Sequence, residues 1–266
     1  MRRFSAEYLR DTRRGMWAEG ERAALEPLSL PDREVIVDVG CGTGELSVVL
    51  AAEASEARVV GVDRDPDLLG EVPAPVEPVR GDALSLPVRD GTADLVVCQA
   101  LLVNLPDPTA AIREFARASA DLVAVVEPDN AAVTVESTVE AEERLAARAR
   151  DHYLDGVATD VGLGAVPDRF EAAGLVDVET ARYDFARTVE PPYTEADVAA
   201  ARRKVSGSRL ADQREVLTAG ELDAEAYDAL REEWKAMGRE VAEAMAEGTY
   251  RRREVVPFFV TVGRGA

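Results

Sequence analysis

Apolar residues in the first half of the chain come in short continuous runs, each followed by a turn and then by helical spacing. Glu34 to Val39 is a compact apolar run that ends in Gly40-Cys41-Gly42-Thr43-Gly44, after which Leu46, Val49 and Leu50 recur at helical intervals through Ala54. This predicts a buried strand, a glycine turn and a helix. The pattern repeats, with strands over Arg58 to Val62, Val76 to Arg80, Asp94 to Gln99 and Leu122 to Glu127, and helices over Pro66 to Leu69 and Pro108 to Ser119. Strands apolar along their whole length, alternating with helices, predict an α/β fold with a parallel sheet covered on both faces.

Outside this stretch the rhythm changes. Phe4 to Leu25 is loosely helical, interrupted at Gly15 and Gly20; Glu136 to Asp155 reads as a charged, Ala-rich helix, and Pro167 to Ala173 as another ended by Gly174. Val176 to Val189 has strand character, and Val255 to Val262 reads as the final strand. Between them Leu222, Ala226, Leu230, Trp234, Met237, Val241 and Met245 form one stripe of a long amphipathic helix, the pattern of a docked packing face. The expected organisation is a helical cap over 1–30, an α/β core over 31–189, a helical lid inserted over 190–250 and a last core strand over 251–266.

Composition narrows the function. The 266 residues carry 31 Lys+Arg against 51 Asp+Glu, a formal charge of −20, which argues against nucleic acid or an anionic membrane as a partner. Lys204 and Lys235 are the only lysines, so Arg supplies nearly all the positive charge, a balance that suggests a salt-adapted interior where the Debye length shrinks to roughly 3 Å. Cys41 and Cys98 lack metal-ligand spacing, and His152 is the only histidine, so neither a His-based metal site nor a Ser-His-Asp triad is expected. Met1-Arg2-Arg3-Phe4 leads into charged residues, and no apolar run is long enough to span a bilayer, so a cytoplasmic protein is expected.

The candidate chemistry gathers at predicted strand ends. A glycine turn between a buried strand and a helix lets a ligand approach the backbone and presents free N–H groups. Asp63 ends the second strand, where a carboxylate can accept from both hydroxyls of a ribose, and Asp82 follows the third, within reach of an adenine amino group. Together they outline a nucleoside cradle with no evident phosphate ligand. As structural elements, Asp63 and Asp82 would cap helices and Asp38 would be a buried turn acceptor.

In VDVGCGTGELS, VVGVDRD, VRGDALSLPVRDGTADLVVCQALLVNLPDP and EFARAS...DLVAVVEP the chain resembles the class I S-adenosylmethionine (SAM) dependent methyltransferases, particularly the small-molecule branch that includes ubiquinone and menaquinone biosynthesis. The resemblance spans about residues 31 to 130. It implies a Rossmann-like, seven-stranded, mostly parallel sheet with an antiparallel last strand, and SAM as cofactor with S-adenosylhomocysteine as product. By the same resemblance Asp38, Gly40, Gly42 and Gly44 hold the methionine end, Asp63 the ribose, Asp82 with the backbone of Ala83 the adenine, and Gln99 the methionine amino group. A carboxylate-lined pocket suits a sulfonium and an ammonium, whereas a pyrophosphate would be disfavoured there.

One departure is chemical. Asn104 stands near the position where many relatives have histidine after the fourth strand, so no catalytic base is assigned. Methyl transfer can still proceed, because holding nucleophile and sulfonium in line is worth about 7 to 11 kcal/mol. Glu127 and Asn130 at the end of the fifth strand, Trp17 near the N-terminus, and Tyr153 and Tyr193 are candidate contacts for a small-molecule acceptor, with Arg13, Arg14 and Met16 placed to fold over the cofactor. Two other readings stay open: a noncatalytic SAM-binding or adaptor protein, and an NAD-dependent oxidoreductase, which the shortened glycine spacing and Asp82 disfavour.

Overall fold

The computed structural model describes residues 5–13, 15–18, 22–157, 159, 161 and 166–265; Phe4, Arg14 and Gly20 lie outside the described residues. The chain divides into two compact units, Met1–Pro128 with Thr159–Tyr183 and Phe258–Ala266, and Asp129–Ala158 with Asp184–Pro257. Residues 129–158 fall in the same unit as all of 190–250, and that unit runs on to Pro257.

The first unit opens with α1 (Ala6–Arg13) and then alternates as the apolar pattern predicts. Its order is β1 (Val35–Val39), α2 (Glu45–Glu53), β2 (Arg58–Asp63), α3 (Pro66–Leu69), β3 (Glu77–Arg80), β4 (Ala93–Gln99), α4 (Pro108–Ala118) and β5 (Ser119–Pro128). Side-chain caps start two helices: Asp65 accepts from the Asp67 N–H at α3, and Asp107 from the Ala110 N–H at α4, each with Pro at the first helical position. α4 turns Ala111, Ile112 and Phe115 inward, and all three are buried.

Strands β3, β2, β1, β4 and β5 lie in that order and pair in parallel. The chain therefore builds outward from β1 in one direction, then crosses to begin again with β4 on its other side. Between β1 and β4 lies the switch point at which open α/β sheets bind ligands, beyond the strand carboxyl ends. Register brings those ends level: Val39 faces Val62 and Cys98, Asp63 faces Arg80, and Gln99 faces Val126. The glycine turn, Asp63, Gln99 and Glu127 thus emerge along one edge of the sheet.

In the remaining segments, α5 (Glu140–Gly156) is preceded by β6 (Thr134–Ser137), and α6 (Val166–Ala172) by the chain's return to the first unit. β7 (Leu175–Val189), α7 (Glu195–Ser206), α8 (Ser208–Asp212), α9 (Arg214–Leu217), α10 (Ala224–Ala246) and β8 (Arg252–Gly265) complete the order. β8 runs antiparallel to β5, with Glu127 opposite Phe259, and β7 also pairs with β8.

The second unit is mostly helical. Tyr227, Leu230, Trp234, Met237 and Val241 of α10 are buried with Leu145, Ala201, Leu210 and Tyr250 in one apolar cluster, so the predicted stripe is a packing face. Gly238 makes the α10–α7 approach possible, since a Cβ there would stand 2.5 Å from the Lys204 carbonyl carbon. β6 is an eighth strand that the sequence reading placed partly inside a helix. Thr134 to Ser137 pair instead with Arg252 to Val255, and the helix begins at Glu140. Only Val135 of the four is buried, a pattern too short to register as alternation.

Candidate functional site

The glycine turn sits where β1 ends. Gly40 and Cys41 donate their N–H groups to the Val62 carbonyl at 2.7 and 3.1 Å, tying the turn to β2. Gly40, Gly42 and Gly44 have φ of 71°, 60° and 87°, conformations that disfavour any side chain. Two leucines also crowd the turn: a Cβ on Gly40 or Gly42 would lie 2.8 Å from a methyl of Leu101 or Leu9, and that side chain would have to shift. Leu101 from the end of β4 and Leu9 from α1 therefore close on the turn.

Asp38, Asp63 and Glu45 border it, and Asp82 follows the end of β3. Asp38 in β1 is 1% exposed and accepts from the Ser47 hydroxyl on α2. Burial pushes its carboxyl up to about 6, against the Ser47 bond and the charge of Arg13, with Asp63 and Glu45 adding to the rise. Asp63 accepts from the Gly42 N–H at 3.0 Å with one oxygen and from the Asp65 N–H at 2.9 Å with the other. Each carboxylate oxygen retains a second lone pair, so these bonds leave capacity for two hydroxyls. Asp82 is exposed and accepts from the Leu84 N–H at 2.9 Å, placing half-buried Ala83 in a turn just after β3.

Glu45, the first residue of α2, accepts from the Thr43 hydroxyl with one oxygen. Its other oxygen is buried without a hydrogen-bond partner, 3.6 Å from an Arg13 nitrogen. Sequence reasoning did not single out Glu45; its position directly after the last glycine was the available signal.

Gln99 ends β4 and is 2% exposed. Its side-chain oxygen accepts from the Trp17 indole N–H at 3.2 Å, its amide nitrogen donates to Met16 Sδ at 2.8 Å, and its carbonyl accepts from Arg13 at 3.2 Å. Trp17 stacks on Tyr183 with ring centroids 5.9 Å apart, and the Tyr183 hydroxyl donates to the Met16 carbonyl. The N-terminal segment is thus latched onto the end of β4 at several points.

Glu127, at the end of β5, is 1% exposed and pointed inward. One oxygen accepts from the N–H groups of Leu101 and Leu102 at 2.9 and 2.8 Å, and the other lies 3.5 Å from the Val103 nitrogen. Burial raises its carboxyl to about 7, against the pull of those amides and of Arg13.

Asn130, Tyr153 and Tyr193 belong to the second unit. Asn130 is half-buried just beyond β5; Tyr153 packs against the helical cluster; and Tyr193 donates to the Tyr250 carbonyl at 2.9 Å. Packing within that unit accounts for both tyrosines. Asn104 donates back to the Ala100 carbonyl at 3.0 Å. Among the described residues no group of His, Cys, Asp and Glu is arranged to hold a metal ion, and no helix is long and apolar enough to cross a membrane.

The chain is similar to known methyltransferases over part of its length. Residues 37–121 match the family model described as a methyltransferase domain. The chain is 30% identical over 121 residues to a demethylmenaquinone methyltransferase of Bacillus licheniformis, covering 43% of this chain and 49% of that protein. It is 33% identical over 129 residues to a malonyl-[acyl-carrier protein] O-methyltransferase of Xylella fastidiosa, covering 44% of each. The match therefore spans less than half the length of these curated relatives. In fold, the YcgJ protein from Bacillus subtilis superposes with a TM-score of 0.53 at 15% identity, covering 92% of this chain and 99% of that one. Over residues 37–121 the chain is similar to a methyltransferase domain, and its fold is like that of the YcgJ protein.

Proposed function

We propose that the protein transfers a methyl group from SAM to an N, O or C nucleophile of a small molecule. The observation that carries this reading is the buried Asp38 with half-buried Glu45, one of whose oxygens has no hydrogen bond and lies 3.6 Å from Arg13, beside a glycine turn at the switch point of the sheet. These residues fit a cationic nucleoside: Asp38, Gly40, Gly42 and Gly44 would hold the methionine end, Asp63 the ribose, Asp82 and Ala83 the adenine, and Gln99 the amino group. Arg13, the cation among these acids, would answer the carboxylate of the same ligand.

When bound, SAM supplies a methyl carbon that the acceptor's lone pair attacks as the C–S bond breaks, leaving S-adenosylhomocysteine. The chain's own contribution is positioning. Asp38 and Asp63 place negative charge where a cation is favoured, and the latch of Trp17 and Met16 on Gln99 excludes water from the end of β4. We assign no base: Asn104 neither titrates nor points away from its own turn.

Calorimetry tests the cofactor. SAM and S-adenosylhomocysteine should bind, and Asp63→Ala should weaken both at least tenfold; unchanged affinity removes Asp63 from the site. Labelled SAM incubated with a metabolite extract, followed by mass spectrometry, should reveal a methylated small molecule. Turnover with no extract would leave only cofactor binding.

A further inference from the structure

A buried carboxylate at the end of a sheet strand is ordinarily read as a ligand for substrate. Here the Glu127 side chain turns to the backbone, and the segment it holds is the one joining β4 to α4. Ala100, the first residue of that segment, has φ of 49°, a left-handed conformation that is strained for a residue with a side chain. Directly after it, Leu101, Leu102 and Val103 present successive N–H groups that begin a 3-10 turn over Leu102–Asn104 and have no carbonyl of their own turn to bond. Glu127 lies against all three. Charge-assisted bonds of this kind are roughly twice as strong as neutral ones, enough to hold the strained residue in place.

The held segment reaches the glycine turn. Leu101 closes over Gly40 so tightly that a Cβ there would stand 2.8 Å from its methyl carbon, and Gln99 is the residue immediately before Ala100. Both sides of the methionine end of the cradle therefore depend on the course of the chain from Gln99 to Val103. Cys98, whose Sγ lies 3.9 Å from a Glu127 oxygen, completes the buried surroundings.

We infer that Glu127 is a positioning residue for the cofactor site: its carboxylate fixes the Ala100–Val103 turn, which sets Leu101 against Gly40 and Gln99 at the pocket wall, and it does not contact the acceptor. This rests on the methyltransferase reading above. It assigns the buried acid at the end of β5 to backbone geometry and leaves acceptor recognition to other groups.

The test uses the full chain with S-adenosylhomocysteine as probe. In the wild type, the amides of Leu101, Leu102 and Val103 should exchange hydrogen slowly, and more slowly once the probe is bound. Glu127→Gln puts an NH2 group where one of the amides needs an acceptor. It should speed exchange at those amides and weaken the probe about tenfold, with the melting transition still cooperative. Ala100→Gly relieves the left-handed strain, so adding it to Glu127→Gln should recover part of the affinity, a rescue that a generally damaged fold would not show.

If the wild type binds no probe, the methyltransferase reading fails. If it binds and Glu127→Gln binds equally well with protected turn amides, that reading survives and the inference is overturned. Should Glu127→Gln fail to fold, the wild-type exchange decides: protected turn amides sustain the role, and amides exchanging as fast as free backbone refute it.

Discussion

Both units bury acids, and they treat them in opposite ways. In the helical unit, Glu142 of α5 is 1% exposed and accepts from Lys204 of α7, from the Tyr250 hydroxyl at 2.8 Å and from Ser137 at 2.7 Å, with Arg252 of β8 at 3.1 Å. Glu254 pairs with the same Arg252 at 2.6 Å. Burial opposes ionisation of both, yet Lys204 and Arg252 hold Glu142 below the usual range, and Arg252, Arg209 and Arg187 bring Glu254 down to about 2. In the sheet unit, burial wins: Asp38 rises to about 6 and Glu127 to about 7, with Arg13 only partly compensating. Acids neutralised from within complete a core. Of the two acids left short of positive charge, Glu127 is answered by backbone N–H groups, and Asp38 is the one that suits the cationic ligand of the proposed function.

The largest effect should come from breaking the compensated set. Lys204→Met leaves Glu142 buried with one cation fewer, and removing one partner of a buried pair costs about 3–5 kcal/mol. Urea unfolding measures it cleanly, because the two tryptophans divide between the units, Trp17 in the sheet unit and Trp234 in α10. In a Trp17→Phe background the Trp234 signal should shift to lower urea by that amount. An unshifted midpoint would mean that the network carries no stability and that the contrast with the sheet unit is empty.

Asp38→Asn probes the other side and should separate binding from stability. Raising an aspartate from 3.8 to about 6 means that keeping it charged at pH 8 costs the fold about 3 kcal/mol. The amide removes that charge while still accepting from Ser47. The variant should melt no lower than the wild type and bind S-adenosylhomocysteine at least tenfold more weakly. A variant less stable by several kcal/mol, with affinity intact, would make Asp38 a structural acid like Glu142.

The two kinds of acid also differ in how visible they were beforehand. The strands, the glycine turn, Asp38 and Asp63 were legible because apolar runs and glycine spacing are local signals, and they recur in the order the sheet requires. Glu127 was legible as a strand-end acid and a candidate contact for the acceptor, but its partners are backbone N–H groups, which leave no trace in side-chain identity. The Glu142 network was not legible at all. Its members stand 62 residues apart for Glu142 and Lys204 and 108 for Glu142 and Tyr250, and charged residues on an Ala-rich helix read as a solvated face. Lys204 carried one faint signal, as one of the only two lysines in an arginine-rich chain. β6 escaped for a related reason, since four residues with one buried side chain take their strand identity from β8.

The smallest expected effect is a difference in pH response between the two tryptophans. Asp38 and Glu127 hold protons more tightly folded than unfolded, so between about pH 4 and 7 the folded state binds more protons and stability falls as pH rises. Glu254 is the reverse: its contribution is complete above its unfolded value of 4.5 and is lost as pH falls toward about 2. Lys204, lowered by burial from 10.5 to about 8 despite Glu142, binds its proton less tightly folded, so its share of stability grows as pH climbs from 8 to 10.5. Acidifying from pH 7 to 5 should therefore move the unfolding midpoint seen by Trp17, in a Trp234→Phe background, to higher urea. The midpoint seen by Trp234 should stay nearly fixed over that range and rise between pH 8 and 10. Saturating S-adenosylhomocysteine sharpens the contrast, because a bound ammonium favours the ionised acids and should flatten the Trp17 response alone. Identical pH curves from both reporters, with and without the probe, would show that the acids of the two units are not held differently.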